Sequence, residues 1–287
     1  MIGTSAPKKD VSIAKNLSAM LCLYRNNVAA EVREALESAF IFQTLVPSEL
    51  IVVFDGPVPS EVTSVIEEFE NVVSIKRIIF DENLGHGPAR AAAIDSCTSD
   101  WIAIIDADDI SLPNRFETLM SKALAHPECA VIGAGYTEFH MENGQVVYGS
   151  SLMLPNTPAD VTRYVSSRAP VAQATAILRR EAVLDVGNYQ TWFNNEDYHL
   201  WIRIISGGYA IRNVDEVLLL VRTDLNFYGR RGGVKYWWNE VALQRYSLTQ
   251  GTTTISRFIF GVSVRFVVQV LLPTRLRSLV YQKALRR

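Results

Sequence analysis

The chain has 287 residues, 48% of them hydrophobic, and its 28 basic and 30 acidic residues give a formal net charge of -2. This length and composition can fill the core of a large α/β domain and argue against disorder as the main state. Because the charges nearly balance, we expect no nucleic-acid partner.

The N-terminal lysines are not followed by an apolar stretch of signal-peptide length, since Lys15 and Asn16 interrupt it. We therefore expect a cytoplasmic protein. The three cysteines, Cys22, Cys97 and Cys129, lie far apart and beside apolar runs. Their spacing matches neither a disulfide framework nor a zinc site and predicts buried, reduced thiols.

Between residues 17 and 140, short apolar runs alternate with amphipathic ones, as in βαβ units around a mostly parallel sheet. Strands are predicted at 17–24, 50–54, 73–80 and 101–105, and helices at 29–42, 59–69 and 88–96. A further helix is predicted to have Pro113 in its first turn.

Beyond residue 140 the pattern changes to a hairpin around Asn143-Gly144 and then to mixed segments that end near Arg222. We predict one domain over residues 1–222, with a nucleotide-binding half at 17–140 and an acceptor-binding half at 141–222. Residues 223–287 are predicted to form a basic loop and an amphipathic helical extension.

The C-terminal extension is cationic. From Val241 to Arg287 there are eight basic residues and no acidic ones. Residues 258–272 form a largely apolar run of 15, shorter than the ~20 residues that span a bilayer. One interpretation is a segment that lies on anionic lipid headgroups, at the inner face of the cell membrane. The other is a core helix followed by a solvated basic tail.

Three carboxylates, Asp106, Asp108 and Asp109, follow directly after the apolar run 101–105. In α/β sheets, ligands bind beyond the carboxyl ends of the strands. Acids this close repel one another unless a cation lies among them, and hard oxygen ligands favour Mg²⁺ or Mn²⁺. Such an ion would stabilise a diphosphate leaving group. Alternatively, Asp109 and Ser111 cap the helix that begins near Pro113.

A second apolar run ends in Asp55-Gly56-Pro57, which is also an ordinary turn sequence. Two strands that each deliver an aspartate to the same sheet edge would outline a nucleotide pocket, in which Asp55 can accept a hydrogen bond from a base N–H. Between them, a loop containing Gly85 and Gly87 leads into a helix that carries Arg90. Loop amides and Arg90 could contact phosphates, although Arg90 could instead be a surface arginine or a salt-bridged one.

Two adjacent acids, Glu196 and Asp197, precede a helical run. Because neighbours on a helix diverge by about 100°, one can act as general base while the other supports it. Both could instead simply occupy a favourable helix N-terminus. Downstream, Arg230 and Arg231 lie in a glycine-containing basic stretch, which predicts either a lid over phosphates or a solvated charge run.

In their joint order, these motifs resemble those of bacterial family-2 glycosyltransferases, particularly the enzymes that build exopolysaccharide and O-antigen repeat units. The motifs are Phe54-Asp55-Gly56-Pro57, Asn83-Leu84-Gly85, Asp106-Ala107-Asp108-Asp109, Asp185-Val186-Gly187-Asn188-Tyr189, Glu196-Asp197-Tyr198-His199-Leu200-Trp201 and Arg230-Arg231-Gly232-Gly233. The resemblance implies a GT-A fold, which is a Rossmann-like, mostly parallel mixed sheet flanked by helices.

The resemblance also implies roles for the acids. Asp55 would contact the nucleotide base, Asp106 the ribose or diphosphate region, and Asp108 the divalent metal, Mn²⁺ or Mg²⁺. Asp197 would be the catalytic base, with Glu196 in support, in a direct displacement that inverts the anomeric configuration. Arg90, Arg230 and Arg231 are added to the expected nucleotide-sugar site because their charge suits a diphosphate.

The sequence departs from the family pattern in three places. The first strand ends in Arg25-Asn26-Asn27 instead of the usual Pro-x-Tyr-Asn, and residues 171–174 lack the histidine often found in acceptor loops. The Gln-x-x-Arg-Trp signature of processive synthases is absent, so one sugar is expected per acceptor.

We therefore predict transfer of one sugar from a nucleotide diphosphate, a UDP-sugar by expectation, to a saccharide or lipid-linked saccharide hydroxyl in bacterial polysaccharide synthesis. Three alternatives are an aspartyl-nucleophile phosphatase, a nucleotidyltransferase and a scaffold subunit. An aspartyl-nucleophile phosphatase would use Asp106, but several βα units precede it here. A nucleotidyltransferase would need a glycine-rich, lysine-containing loop after the first strand, and a scaffold subunit would not need the acids.

Overall fold

The computed structural model describes residues 12–192, 195–223, 232–273, 276–277 and 280. The strands are β1 (Ser12–Leu23), β2 (Leu45–Phe54), β3 (Ser74–Ile79), β4 (Trp101–Ile105), β5 (Ile110–Ser111), β6 (Cys129–Glu142), β7 (Gln145–Leu152), β8 (Ile177–Arg179) and β9 (Ala210–Arg222). The α-helices are α1 (Ala29–Phe40), α2 (Ser60–Phe69), α3 (His86–Ser96), α4 (Arg115–Ala125), α5 (Pro158–Tyr164), α6 (Arg180–Asp185), α7 (Glu196–Ser206), α8 (Val234–Thr249) and α9 (Ile255–Phe266). A 3₁₀ turn covers Gln173–Thr175, and a π-helical turn, Val267–Leu271, continues α9.

The described strands form one mixed sheet in the order β3-β2-β1-β4-β8-β6-β9-β5, with β7 added at β6. The first four strands are parallel to one another, while β8 runs antiparallel between β4 and β6. All five residues of β4 are buried, which is the continuous apolar pattern of a strand covered on both faces. The predicted α/β class and mostly parallel sheet are confirmed.

Strand register aligns the functional edge. Leu23 at the end of β1 pairs with Phe54 at the end of β2, and Leu21 pairs with Ile105 at the end of β4. The residues that follow β2 and β4 therefore emerge at one edge of the sheet. Helices cover both faces: α1, α2 and α4 bury one core cluster, and α3, α6 and α7 bury the other.

Several boundaries differ from the sequence predictions. The first strand begins at Ser12, five residues earlier than predicted, and α3 begins at His86. The helix expected to hold Pro113 in its first turn begins at Arg115. Pro113 stays outside that helix, where its carbonyl accepts a hydrogen bond from the Thr44 amide at 2.9 Å.

The hairpin prediction is confirmed, because β6 and β7 are joined by Asn143 and Gly144, both at positive φ, 50° and 77°. This conformation suits asparagine and glycine in a two-residue turn. The thiols of Cys22, Cys97 and Cys129 are unpaired, as predicted.

The last helices lie against the globular body. The Trp237 indole of α8 donates to the carbonyl of Val262 in α9 at 3.1 Å, and Tyr246 of α8 contacts the His199 ring of α7 with centroids 4.4 Å apart. None of the helices among the described residues combines the length and hydropathy needed to cross a membrane. The boundary at residue 222 stays a prediction.

Candidate active site

Charged residues from four regions of the chain lie around Cys22, near the end of β1. Burial raises the pKa of the Cys22 thiol to about 12, and the charges of Arg90, Asp106, Asp55 and Glu196 all act on it. The structure thus brings together four of the residues predicted for the site. Their common location is the edge at which β1, β2 and β4 end.

Asp55 organises the loop that follows β3. Its carboxylate accepts hydrogen bonds from Asn83 Nδ2 at 2.9 Å, from the Leu84 amide at 2.7 Å and from the Gly85 amide at 3.0 Å. Two amides of the loop that the sequence suggested for phosphate binding, those of Leu84 and Gly85, are therefore already used by Asp55. Gly56 permits this close approach, since a Cβ at its φ of 79° would lie 2.8 Å from the Asn83 nitrogen.

Arg90 is the central cation of the site. Its Nη1 donates to Glu196 Oε1, and its Nη2 lies 3.6 Å from Asp106 Oδ1. With the Gln173 amide oriented to satisfy both of its ends, the oxygen of that amide accepts from Arg90 Nε at 2.7 Å. Burial lowers the pKa of the guanidinium, but Asp106 and Glu196 outweigh this effect and raise it above its ordinary value. Arg90 is therefore a buried, ion-paired residue and not a surface arginine.

The acid pair begins α7. Glu196 is buried against Arg90, whereas Asp197 is half-buried and its Oδ1 accepts from the Tyr198 amide at 2.7 Å. Burial, followed by the neighbouring charge of Glu196, raises the pKa of Asp197 to about 6. The two acids therefore differ in their partners. Glu196 accepts a hydrogen bond from the Arg90 guanidinium, and Asp197 takes no part in that hydrogen bond. A carboxylate with a raised pKa is a stronger base.

The three acids after β4 face different surroundings. Asp109 is buried, and its Oδ1 accepts the Arg222 amide of β9 at 2.9 Å. Burial and the charges of Asp106 and Asp108 hold the pKa of Asp109 well above its usual range. Asp108 is exposed, yet partial desolvation, followed by the charges of Asp106 and Glu31, raises its pKa to about 6.

The expected helix caps are wrong. The N-cap of α4 is Asn114, while Asp109 binds the β9 backbone and the hydroxyl of Ser111 accepts from Arg115 Nη1 at 2.9 Å. The expectation that all three acids surround one cation is wrong for Asp109, and only Asp106 and Asp108 are left at the open edge.

Two arginines hold the segment that contains the end of β4 and Asp108. The sequence analysis assigned neither of them a positioning role. Arg115 is 1% exposed, and its Nη2 donates to the carbonyls of Ile104 at 2.7 Å and Ala174 at 2.5 Å. Arg222 donates from Nε to the Asp108 carbonyl at 3.0 Å and from Nη2 to Glu34 at 2.7 Å. Arg222 is the last residue of β9, and its hydrogen bond fixes the Asp108 backbone.

A divalent cation fits the open edge. Among the described residues, no three His, Cys, Asp or Glu side chains converge as a complete metal site. Asp106 and Asp108 are nevertheless neighbouring hard-oxygen donors, and the pKa of Asp108 is raised by desolvation first and then by the negative charges of Asp106 and Glu31. Mg²⁺ is commonly bound by one or two carboxylates together with substrate phosphates. The donor set therefore suits Mg²⁺ or Mn²⁺ bound jointly with a diphosphate.

Two further observations delimit the site. Arg230 and Arg231 lie outside the described residues, so their placement stays a prediction. A cavity of about 490 Å³ opens beside Thr98, Trp101 and Arg180, at the amino end of β4. It lies at the opposite end of β4 from Asp106 and Asp108. Ligands of α/β sheets generally bind beyond the carboxyl ends of the strands, where those two acids lie.

The comparisons with known proteins agree with this geometry. Residues 18–187 match the model of Glycosyl transferase family 2. The amylovoran biosynthesis glycosyltransferase AmsE of Erwinia amylovora is 31% identical over 93% of this chain and 98% of its own length. The UDP-Gal:alpha-D-GlcNAc-diphosphoundecaprenol beta-1,3-galactosyltransferase of Escherichia coli is 28% identical over 94% of this chain and 96% of its own length.

Solved structures share the fold at low sequence identity. S. aureus TarS 1-349 in complex with UDP-GlcNAc has a TM-score of 0.62 at 14% identity, covering 93% of this chain and 79% of TarS. The mannosyltransferase PcManGT of Pyrobaculum calidifontis, in complex with GDP-Man and Mn²⁺, has a TM-score of 0.62 at 17% identity, covering 96% and 79%. These matches favour the glycosyltransferase interpretation over the phosphatase, nucleotidyltransferase and scaffold alternatives. The chain is a member of glycosyl transferase family 2 and a glycosyltransferase with the GT-A fold.

Proposed function

We propose that this glycosyltransferase moves a single sugar from a UDP-sugar to a hydroxyl of a lipid-linked saccharide, with inversion, during bacterial polysaccharide synthesis. The observation that carries the proposal is the position of Arg90, which contacts Asp106 at the end of β4 and Glu196 at the start of α7. One buried cation thereby joins the strand end suited to a diphosphate to the helix that holds the candidate base.

The donor would lie along the ends of β2 and β4. Three of the roughly four lone-pair positions of the Asp55 carboxylate are occupied by the loop, and a remaining position on Oδ1 suits a base N–H. Asp106 would orient the ribose or diphosphate, and Arg90 would hold Asp106 in place. Asp108 would hold Mg²⁺ or Mn²⁺, which when bound would neutralise the departing diphosphate. Arg230 and Arg231 would add positive charge to the same group.

Asp197 would take the proton of the acceptor hydroxyl as that oxygen attacks the anomeric carbon. Its pKa of about 6 leaves it ionised near neutral pH but more basic than an ordinary aspartate. Glu196, held by Arg90, would remain a fixed charge beside it. A direct attack of this kind from the face opposite the leaving group inverts the anomeric configuration.

The acceptor class follows from the relatives. The Escherichia coli enzyme is named for a diphosphoundecaprenol-linked GlcNAc acceptor, and the Erwinia enzyme for amylovoran biosynthesis. A lipid-linked acceptor is confined to a bilayer, so the proposed site of action is the inner face of the cell membrane. This location also fits the acid-free C-terminal segment.

A transfer assay tests the proposal. The full chain would be incubated with Mn²⁺, a set of UDP- and GDP-sugars, and a short-chain polyprenyl-diphosphate GlcNAc acceptor. We expect one added sugar by mass spectrometry and an inverted anomeric linkage by NMR. In the Asp197→Asn variant, donor affinity should persist while turnover falls by roughly 10²-fold or more. Absence of both transfer and Mn²⁺-dependent donor binding for every donor would overturn the proposal.

A further inference from the structure

The outer surface of the C-terminal helices is apolar. No residue of α9 is buried by the part of the chain that the structure describes. Phe260 is 72% exposed and Ile255 66% exposed, and Trp238 of the neighbouring α8 is 58% exposed. We define the insertion face as the following exposed residues of α8, α9 and the π-helical turn: Trp238, Ile255, Ile259, Phe260, Val264, Phe266, Val267 and Leu271. Contiguous apolar surface of this kind usually marks a site of interaction.

The arginines of α9 point to the protein. Arg257 Nη1 donates to Ser166 Oγ at 2.8 Å, and Arg265 lies with its Nε 3.1 Å from Glu240 Oε2. Both guanidinium groups therefore hold the helix to the protein, although Arg257 as a whole remains exposed, and the large apolar side chains of α9 are exposed beside it.

The structure also links this helix to the catalytic residues. Glu240 of α8 binds Arg265 through one oxygen, and its other oxygen accepts from Asn195 Nδ2 at 3.1 Å. Asn195 is the N-cap of α7, directly before Glu196 and Asp197. The helices that carry the insertion face, α8 and α9, are therefore connected to the start of α7 through the contacts of Glu240 with Arg265 and Asn195.

We infer that the insertion face lies in the interfacial region of an anionic bilayer, and that α9 is held there by its apolar side chains and not by its own arginines. This inference rests on the proposed function, because the proposed acceptor occupies the same bilayer. The described helices are not suited to span a membrane, but an apolar helix face can lie in the headgroup and acyl boundary. Tryptophan is typical of that boundary, as Trp238 would be here.

The choice of a bilayer over another occupant is supported by charge. Residues 241–287 contain no acidic residue. Of their eight basic residues, Arg257 and Arg265 bind the protein and Arg277 is buried, so the exposed Arg245 and the four basic residues outside the described part of the chain would complement anionic lipids. Basic groups of the tail, including Lys283, Arg286 and Arg287, follow the apolar segment directly in the sequence. A juxtaposed apolar face and basic segment is the two-signal arrangement that gives stable attachment to a membrane.

Vesicle co-sedimentation tests the inference. The full chain would be mixed with phosphatidylcholine vesicles with or without about 30% phosphatidylglycerol, and compared with the Phe260→Glu variant. We expect binding to the anionic vesicles and at least a tenfold weaker partition for the variant, since a charged side chain replaces a phenylalanine whose burial would favour binding. The control is Leu124→Glu on α4, because Leu124 is equally exposed at 72% and lies outside the insertion face. Its partition should equal that of the unmodified chain.

The inference would be overturned by no binding of the unmodified chain to anionic vesicles, by equal loss in both variants, or by a dimer that Phe260→Glu dissociates in sedimentation velocity. Binding only to vesicles that contain the polyprenyl acceptor would also overturn it, since the face would then bind the acceptor chain. A thermal melt of each variant verifies folding.

Transfer assays separate this inference from the proposed function. The Phe260→Glu variant should retain transfer to a water-soluble acceptor and lose at least tenfold with acceptor embedded in vesicles. Vesicle binding without transfer by the unmodified chain would contradict the proposed function alone. Normal transfer to both acceptors by Phe260→Glu, together with unchanged vesicle binding, would contradict this inference alone.

Discussion

Arg90 Nη1 donates a hydrogen bond to Glu196 Oε1, although the two residues are 106 positions apart in the chain. Both side chains are buried, and the Nη2 atom of the same guanidinium lies 3.6 Å from Asp106. Because a buried charge must be compensated, this arrangement fixes the start of α7 relative to the end of β4. The candidate base and the candidate diphosphate site are thus held at a defined separation.

The first prediction concerns this pair. Arg90→Gln and Glu196→Gln should each lower turnover by roughly 10²-fold, because both displace the reacting groups. Since the two residues act as a unit, the double variant should be little worse than either single one. Arg90→Lys should not restore turnover, because an ammonium lacks the planar fork of the guanidinium. Additive losses in single-turnover kinetics would show that the residues act independently.

The second prediction separates the adjacent acids of the β4 end. Asp108→Asn should abolish Mn²⁺-dependent donor binding in calorimetry, because Asp108 faces the open edge and supplies a charged oxygen ligand. Asp109→Asn is the matched control, since Asp109 binds the Arg222 amide and an asparagine oxygen can accept the same hydrogen bond. If both variants bound donor equally well with saturating Mn²⁺, the metal role of Asp108 would be wrong.

The third prediction is a pH profile. Asp197 has a pKa of about 6, so single-turnover rates at saturating donor should fall as pH decreases through about 6. The apparent pKa belongs to the acid pair, because Glu196 and Asp197 interact. The free energy of unfolding changes with pH in the opposite direction to the rate. The folded state binds this proton more tightly than the unfolded state, so its contribution is greatest at low pH and is lost as pH rises toward 6.

The Asp197→Asn variant checks that assignment. Its residual rate should no longer depend on pH near 6. Its free energy of unfolding should no longer show the decrease that Asp197 causes as pH rises from about 4 to 6. A variant that kept the profile of the unmodified chain would place the titrating group elsewhere.

The fourth prediction concerns Arg115. Arg115→Met should lower the free energy of unfolding by roughly 3 kcal/mol, because the carbonyls of Ile104 and Ala174 lose a buried donor at about 1–3 kcal/mol each. Urea denaturation measures this change. The exposed Arg163, whose carboxylate partner Asp160 lies one helical turn away at 3.2 Å, provides the control, and Arg163→Met should change stability by less than about 1 kcal/mol. An equal effect of both variants would argue against the positioning role.

The sequence was informative where local patterns decide the structure. The buried runs of β2 and β4, and the aspartates directly after them, follow from apolar continuity and from the general position of ligands in α/β sheets. The Asn143-Gly144 turn could be predicted equally well, since few residues adopt positive φ without strain. These features depend on near neighbours in the chain.

Long-range contacts could not be predicted in the same way. The orientation of Asp109 is set by Arg222, which lies 113 positions later, and the pairing of Arg90 depends on α7 and on the 3₁₀ turn that holds Gln173. The contacts of Arg257 and Arg265 of α9 depend on Ser166 and Glu240, which belong to other helices or their ends. Periodicity gives the face of a helix but not the partner that the face will meet.

The central claim is that Asp55, Asp106, Asp108 and Arg90 form one nucleotide-sugar site at the carboxyl edge of the sheet. A crystal structure of the full chain with a UDP-sugar and Mn²⁺ tests it most directly through the anomalous signal of manganese. We expect the manganese peak within about 2.5 Å of an Asp108 carboxylate oxygen, with the diphosphate beside it and the base near Asp55. A nucleotide bound in the cavity beside Thr98 and Arg180, or manganese bound away from Asp108, would contradict the account.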